Sequence, residues 1–143
     1  MSDMPEIPSI TSHVSIGTNR FAEALAFYDA VLATIGARRV LEVPGVNAVA
    51  YGKQFPEFWV QTPIDGKPAN VGNGTHFGFI ALSKDAVDAF FAAAVAAGAT
   101  PDGPPGGRPH YGEPYYGCFV RDLDGHKIEA TFWDTRKDHP GTH

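Results

Sequence analysis

The chain has 143 residues, of which 43% are hydrophobic and 19% are charged, a composition that supplies a core for one domain and excludes a disordered chain. Eleven Lys and Arg residues against sixteen Asp and Glu residues give a net charge of −5. Because the basic residues do not gather into a patch that could follow phosphates, we expect no nucleic-acid partner.

The sequence also predicts where the protein resides. Its longest apolar run, 89–97, is well short of the ~20 residues that cross a bilayer, and the first residues do not have the pattern of a signal peptide. The single cysteine, Cys118, cannot form an internal disulfide. We therefore expect a cytoplasmic protein with no membrane partner, in which Cys118 is a small buried strand residue.

The first half of the chain predicts a strand, a helix and three more strands. Residues 11–16 have strand character, and apolar residues recur at steps of three and four over 20–36, which predicts a helix ending at Gly36. Further runs rich in β-branched and aromatic residues predict strands at 38–43, 47–51 and 57–61.

The second half repeats this order after a linker, 62–74, that is rich in Gly, Pro and Asn. A strand at 75–81 and a helix at 83–98 are predicted first. The segment 100–114 contains too much Pro and Gly for regular structure, so we expect a long functional loop there. Two strands joined by an Asp-Gly turn follow at 115–121 and 127–133.

The two halves align with each other. His13 matches His76, and the helix end at Gly36 matches the one at Gly98, with offsets of 63 and 62 residues. This repeat predicts one α+β domain over 1–143, built from two βαβββ modules. The modules span 11–61 and 75–133, are joined by the linker 62–74, and are followed by a C-terminal tail, 134–143.

Three residues of this repeat suggest a metal site. Strand alternation places His13, His76 and Glu129 on the sheet face turned away from the helices. Two imidazoles and a carboxylate suit a divalent first-row metal such as Zn, Ni, Mn or Fe. We therefore predict a metal centre that leaves coordination positions open for a substrate.

Other polar and aromatic residues are candidates for the surrounding pocket. In the fourth strand, Glu57 or Gln61 is a possible fourth ligand, Glu57 is also a possible base, and Trp59 is a possible pocket wall. Arg108, in the Pro-rich segment, can bind a carboxylate or phosphonate group of a ligand. The remaining pocket candidates are His110, Tyr111, Tyr115 and Tyr116.

These features together resemble a known family. The βαβββ repeat, His13, the helix segment FYDAVL at 27–32 and the closing segment YYGCFVRDLDGHKIE at 115–129 look like the vicinal oxygen chelate superfamily. This group includes glyoxalase I, fosfomycin resistance proteins, extradiol dioxygenases, methylmalonyl-CoA epimerase and bleomycin resistance proteins. The resemblance implies a curled, barrel-like mixed sheet with the helices outside, and it implies His13, His76 and Glu129 as metal ligands.

The resemblance also implies a function. We expect a glyoxalase-like lyase or isomerase that acts on a small oxygen-rich substrate chelated to a divalent metal. The alternatives are a metal-free binding protein of the bleomycin-resistance type and an Fe(II) extradiol dioxygenase. A homodimer is expected, with the modules paired within one chain or across two. Glyoxalase I has an arginine four positions after the first histidine for glutathione, whereas this chain has Gly17.

Overall fold

The architecture consists of two consecutive βαβββ modules. The structure, a computed structural model, describes residues 6–112 and 114–134. The first module contains β1 (Val14–Gly17), α1 (Phe21–Ala33), β2 (Arg38–Glu42), β3 (Ala48–Gly52) and β4 (Phe58–Gln61). The second contains β5 (His76–Ile80), α2 (Lys84–Ala96), β6 (Thr100–Gly106), a 3-10 turn at Pro109–Tyr111, β7 (Tyr115–Arg121) and β8 (Lys127–Trp133).

Each module forms one four-stranded mixed sheet, and the strand order is the same in both. Sheet A has the order β1-β4-β3-β2, and sheet B has the order β5-β8-β7-β6. In each sheet the first strand runs parallel to the last and occupies an edge. The repeat and the α+β fold predicted from the sequence are therefore confirmed, and both sheets are open.

One strand contradicts the sequence-based expectation. Residues 100–106 were expected to lack regular structure, yet they form β6, which pairs antiparallel with β7. The register shifts between Pro101 and Gly103 and again between Gly103 and Gly106. Because β6 is an edge strand with one hydrogen-bonded neighbour among the described residues, it accommodates prolines that a central strand would exclude.

The helices cover one face of the sheets and share a core. Val87, Phe90 and Ala94 of α2 are fully buried, and the rings of Phe58 on β4 and Phe79 on β5 lie 5.0 Å apart, so the core spans both modules. Ser83 caps the N-terminus of α2, because its Oγ accepts a hydrogen bond from the Ala86 N–H at 3.0 Å. Neither described helix has the length and apolar character needed to cross a bilayer.

The turn between β7 and β8 fastens the two modules together. Asp122 accepts a hydrogen bond from the Tyr28 hydroxyl at 2.5 Å, and Asp124 accepts one from the Thr18 hydroxyl at 2.5 Å. The ring of His126 lies 2.7 Å from the Gly17 carbonyl oxygen and is buried. The turn position of His126 favours an exposed ring, but the ring is buried because the turn packs against the first module.

Removing the hydroxyl of Tyr28 is expected to destabilise the fold. Tyr28→Phe leaves the buried carboxylate of Asp122 without one donor, which should lower the free energy of unfolding by about 1.5–3 kcal/mol. Tyr116→Phe is the matched control, because its hydroxyl donates to Asp88 at the surface and its loss should cost about 0.5 kcal/mol or less. Urea unfolding of both variants measures the difference, and equal losses would contradict this role of the turn.

Candidate functional site

A histidine and a carboxylate lie side by side on the concave face of sheet B. His76 begins β5, and Glu129 lies on the adjacent strand β8, opposite Gly78. The Nε2 atom of His76 is 3.4 Å from Glu129 Oε1. Glu129 is only 8% exposed, whereas 47% of the His76 side chain is accessible. The pair therefore joins a buried carboxylate to an imidazole that a ligand can reach.

The second carboxylate oxygen of Glu129 is held by a tyrosine. The Tyr115 hydroxyl on β7 donates a hydrogen bond to Glu129 Oε2 at 2.5 Å. Burial, and then the hydrogen bond to Glu129, raise the pKa of the Tyr115 hydroxyl well above its ordinary value. Tyr115 therefore keeps its proton and orients Glu129 so that Oε1 faces His76.

Two strand glycines make room for this arrangement. A Cβ atom on Gly78 would lie 3.3 Å from Glu129 Oε1, and one on Gly117 would lie 2.2 Å from the Tyr115 hydroxyl oxygen. A side chain at Gly117 would therefore displace the tyrosine from the carboxylate. Sequence reasoning missed both positions, although glycine inside a strand is a signal of close approach.

The predicted site residues of the first module lie on the concave face of sheet A. A cavity of about 950 Å³ is lined there by His13, Glu57, Trp59 and Gln61. All of its lining residues fall between positions 7 and 61, within the first module and the segment before it. His13 comes directly before β1 rather than inside the strand, and its ring is exposed, with Nδ1 3.0 Å from Ser12 Oγ.

The three predicted metal ligands do not meet within one chain. His76 and Glu129 are adjacent on sheet B, whereas His13 lines the cavity of sheet A. Across residues 6–112 and 114–134, no three His, Cys, Asp or Glu side chains are grouped so that they could hold a metal ion. One chain therefore presents the predicted ligand set as two separate parts.

The aromatic pocket candidates are divided between two faces. The ring of Tyr111 packs 4.9 Å from that of Tyr115, and the ring of His110 lies 4.2 Å from that of Tyr111, so these residues cluster at one end of sheet B. Tyr116 points to the opposite face, where its hydroxyl donates to Asp88 of α2 at 2.7 Å. Tyr116 therefore does not join the concave-face residues.

Cys118 lies on the helix-covered face of β7. It is fully buried, and its Sγ atom is 3.7 Å from the Val87 carbonyl oxygen of α2. Burial raises the pKa of the Cys118 thiol to about 11. The thiol is therefore protonated at neutral pH and serves in packing rather than as a nucleophile.

The glyoxalase fold consists of two βαβββ modules with open mixed sheets, and this chain has that fold. Polar residues lie on the concave faces of both sheets. A model of the Glyoxalase/Bleomycin resistance protein/Dioxygenase superfamily matches residues 10–130, and the chain belongs to this superfamily. No curated protein matches the chain.

Solved structures support the same assignment. A glyoxalase/bleomycin resistance protein from Albidiferax ferrireducens T118 is 39% identical, with 86% of this chain and 98% of that chain covered and a TM-score of 0.77. TioX from Micromonospora sp. ML1 is 24% identical over 87% of this chain and 99% of its own, with a TM-score of 0.59. Lactoylglutathione lyase from Agrobacterium tumefaciens is 23% identical over 88% and 94%, with a TM-score of 0.58. The last two likenesses concern the fold alone.

Proposed function

We propose that the protein is a metal-dependent lyase or isomerase acting on a small, oxygen-rich substrate. In this proposal His13, His76 and Glu129 hold a divalent ion, with Zn, Ni, Mn and Fe as the candidates. The observation that carries it is the buried Glu129 carboxylate, oriented by Tyr115 toward the accessible imidazole of His76. Membership of a superfamily that includes glyoxalases and dioxygenases adds support.

The geometry of the histidine and the carboxylate fits a shared metal ion. The donor atoms His76 Nε2 and Glu129 Oε1 are 3.4 Å apart. Two ligands that each lie about 2.1 Å from one tetrahedral cation are separated by roughly 3.4 Å. Imidazole and carboxylate are also donors that first-row divalent ions accept. The separation of the two donor atoms therefore suits a common ion.

The third ligand, in this proposal, comes from a second copy of the chain. His13 of one protomer approaches His76 and Glu129 of the other, and a homodimer contains two such sites. The exposed apolar surface supports this arrangement, because Ile80, on the same face of β5 as His76, is 72% exposed and Phe55 beside the sheet A cavity is 65% exposed. The strands β1 and β5 are also sheet edges with no further strand paired to them among the described residues.

The remaining residues have separate roles in the proposed chemistry. A bound divalent ion supplies Lewis-acid stabilisation of negative charge on a substrate oxygen. Tyr115 keeps its proton and fixes the carboxylate of Glu129. Glu57, which is exposed at the sheet A cavity, is the proposed base. Either Glu57 or Gln61 is the candidate fourth metal ligand, and Trp59 forms a wall of the substrate pocket.

Gly17 argues against a glutathione adduct as the substrate. Glyoxalase I places an arginine four residues after its first histidine, whereas the matching position here is a glycine in tight contact with its neighbours. A Cβ atom on Gly17 would lie 3.0 Å from Ala69 Cβ and 3.1 Å from Pro63 Cγ. We therefore propose a substrate without the glutathione moiety.

One observation favours a second function, the metal-free binding of an apolar ligand. Apolar side chains contribute much of the lining of the sheet A cavity, namely Ile7, Ile10, Val43, Phe55 and Trp59. Such a cavity suits sequestration of an aromatic molecule. A ring-cleaving dioxygenase remains the third candidate, with His110 as its acid-base residue.

Metal content separates these functions. Protein purified without added ions, and then offered Zn, Ni, Mn or Fe(II), is expected to retain about one equivalent per chain. Mass-spectrometric metal analysis measures the stoichiometry. Less than about a tenth of an equivalent after reconstitution would contradict the metalloenzyme and favour the binding protein. Selective retention of Fe(II) would favour the dioxygenase.

A further inference from the structure

An aromatic ring on sheet B gathers positive side chains beside the histidine and the carboxylate. Phe119 on β7 is paired with Glu129 on β8, and the ring of His76 lies 6.2 Å from the Phe119 ring. The Nζ atom of Lys127 is 4.9 Å from the ring centroid, and the guanidinium carbon of Arg108 is 5.7 Å from it. Two cations therefore flank one aromatic side chain next to the proposed metal ligands.

Arg108 has unused hydrogen-bonding capacity. Its guanidinium donates to the carbonyl oxygens of Gly107 at 3.0 Å and Pro104 at 2.7 Å, and no ion pair among the described residues includes it. A guanidinium has five N–H donors, so three lack a partner in the part of the chain that the structure describes. Half-buried cations of this kind favour an anionic partner.

The backbone leaves space for this guanidinium. A Cβ atom on Gly103 would lie 3.2 Å from an Arg108 guanidinium nitrogen, and one on Gly106 would lie 3.3 Å from another. The two glycines belong to β6, the strand that sequence reasoning treated as a loop. Small residues at both positions therefore allow the Arg108 guanidinium to lie close to the backbone of β6, near Phe119.

The charges on this face do not balance. Lys127 and Arg121 share the single carboxylate of Asp102, at 3.7 and 3.0 Å. Glu129 is already bonded to Tyr115 and adjacent to His76. With Arg108 added, the described residues of this face carry an excess of positive charge in a chain whose net charge is −5, and such a field attracts anions.

We propose that Arg108 and Lys127 bind an oxyanion of the substrate, a carboxylate or a phosphonate, above Phe119. That the bound anion is a substrate rests on the proposed function. The binding of the anion does not depend on it. The planar guanidinium fork matches two oxygens of such a group. An anion held there lies beside His76 and Glu129, so the substrate is a small organic acid with a further oxygen next to its acid group. Arg108 and Lys127 are specificity-determining residues.

A carboxylate, its neutral amide and inorganic phosphate test this proposal. Full-length protein without added metal is titrated at constant ionic strength with glycolate, with its neutral amide glycolamide, and with inorganic phosphate, followed by amide chemical shifts in NMR. Glycolate or phosphate is expected to bind at least about tenfold more tightly than glycolamide. The largest shifts should fall at Arg108, Phe119 and Lys127. The tighter of the two anions identifies the acid group.

Variants at Arg108 make the test specific. Arg108→Gln is expected to abolish the preference for the anion, and Arg108→Lys to retain part of it, because the charge stays while the fork is lost. Arg38→Gln is the control, since Arg38 is exposed on β2 and its side chain donates only to a backbone carbonyl in the described structure. Equal binding of glycolate and glycolamide, or an anion preference that survives Arg108→Gln, overturns the proposal.

Zinc uptake measured in parallel separates this inference from the proposed function. Loss of anion preference in Arg108→Gln, together with failure of the wild-type protein to take up zinc, supports the anion site and contradicts the metalloenzyme. Normal zinc uptake without any Arg108-dependent preference contradicts the anion site alone.

Discussion

Replacing Glu129 with glutamine is expected to lower the affinity of the protein for a divalent metal at least about tenfold, which is 1.4 kcal/mol of binding free energy. The change removes the negative charge that faces His76 but nearly preserves the shape of the side chain. The amide oxygen of the glutamine can still accept the hydrogen bond from Tyr115. Calorimetric titration of the wild-type and variant proteins with Zn, Ni, Mn and Fe(II) measures the loss.

The stability of the metal-free protein provides the control for this prediction. A structural role for Glu129 would require a partner such as Arg121 or Lys127, but both of these cations pair with Asp102. We therefore expect metal-free Glu129→Gln to unfold within a few degrees of the wild type. Glu42→Gln, at an exposed carboxylate that pairs with Arg39, should change neither property. Unchanged metal affinity in Glu129→Gln would remove this residue from the site.

The second large effect is expected at the two histidines. His13→Ala and His76→Ala should each weaken metal binding by more than the roughly 10–100-fold that loss of an outer-shell partner costs. Both rings are exposed, so neither change should disturb the core. His110→Ala is the matched control, because this exposed histidine lies outside the proposed ligand set. Zinc titrations of the three variants measure the effect, and retention of zinc by His13→Ala would contradict its role as a ligand.

The local pattern of apolar, turn and helix-ending residues was sufficient to predict most of the strands and helices. The strands β7 and β8 have the predicted boundaries because an Asp-Gly turn with Gly125 at φ +98° separates two apolar runs. The helices follow from their periodicity and from their terminal glycines. The strand β6 could not be predicted in this way, because its Pro-rich sequence becomes a strand only through edge pairing with β7. Burial of His126 depends likewise on Gly17, which is distant in sequence.

The sequence predicts on which sheet face a site residue lies, but it does not predict how the two sheets bring those residues together. Strand alternation placed Glu129 on the face away from the helices, and the structure joins Glu129 there to the pocket candidate Tyr115 by a hydrogen bond. The same alternation separates Tyr115 from Tyr116, a signal that sequence reasoning left unused. The relation of His13 to His76 depends on how modules pair in space, and strand periodicity carries no information about that.

Mixing two variants, each without one of the two histidines, tests the central claim that each metal site takes its ligands from two chains. His13→Ala and His76→Ala proteins are unfolded together, refolded, and assayed for bound zinc, with mixed dimers verified by native mass spectrometry. A mixed dimer would contain one site with both changes and one intact site. Random pairing should therefore restore zinc binding to about a quarter of the wild-type level. Verified mixed dimers that bind no more zinc than either variant alone would contradict the account.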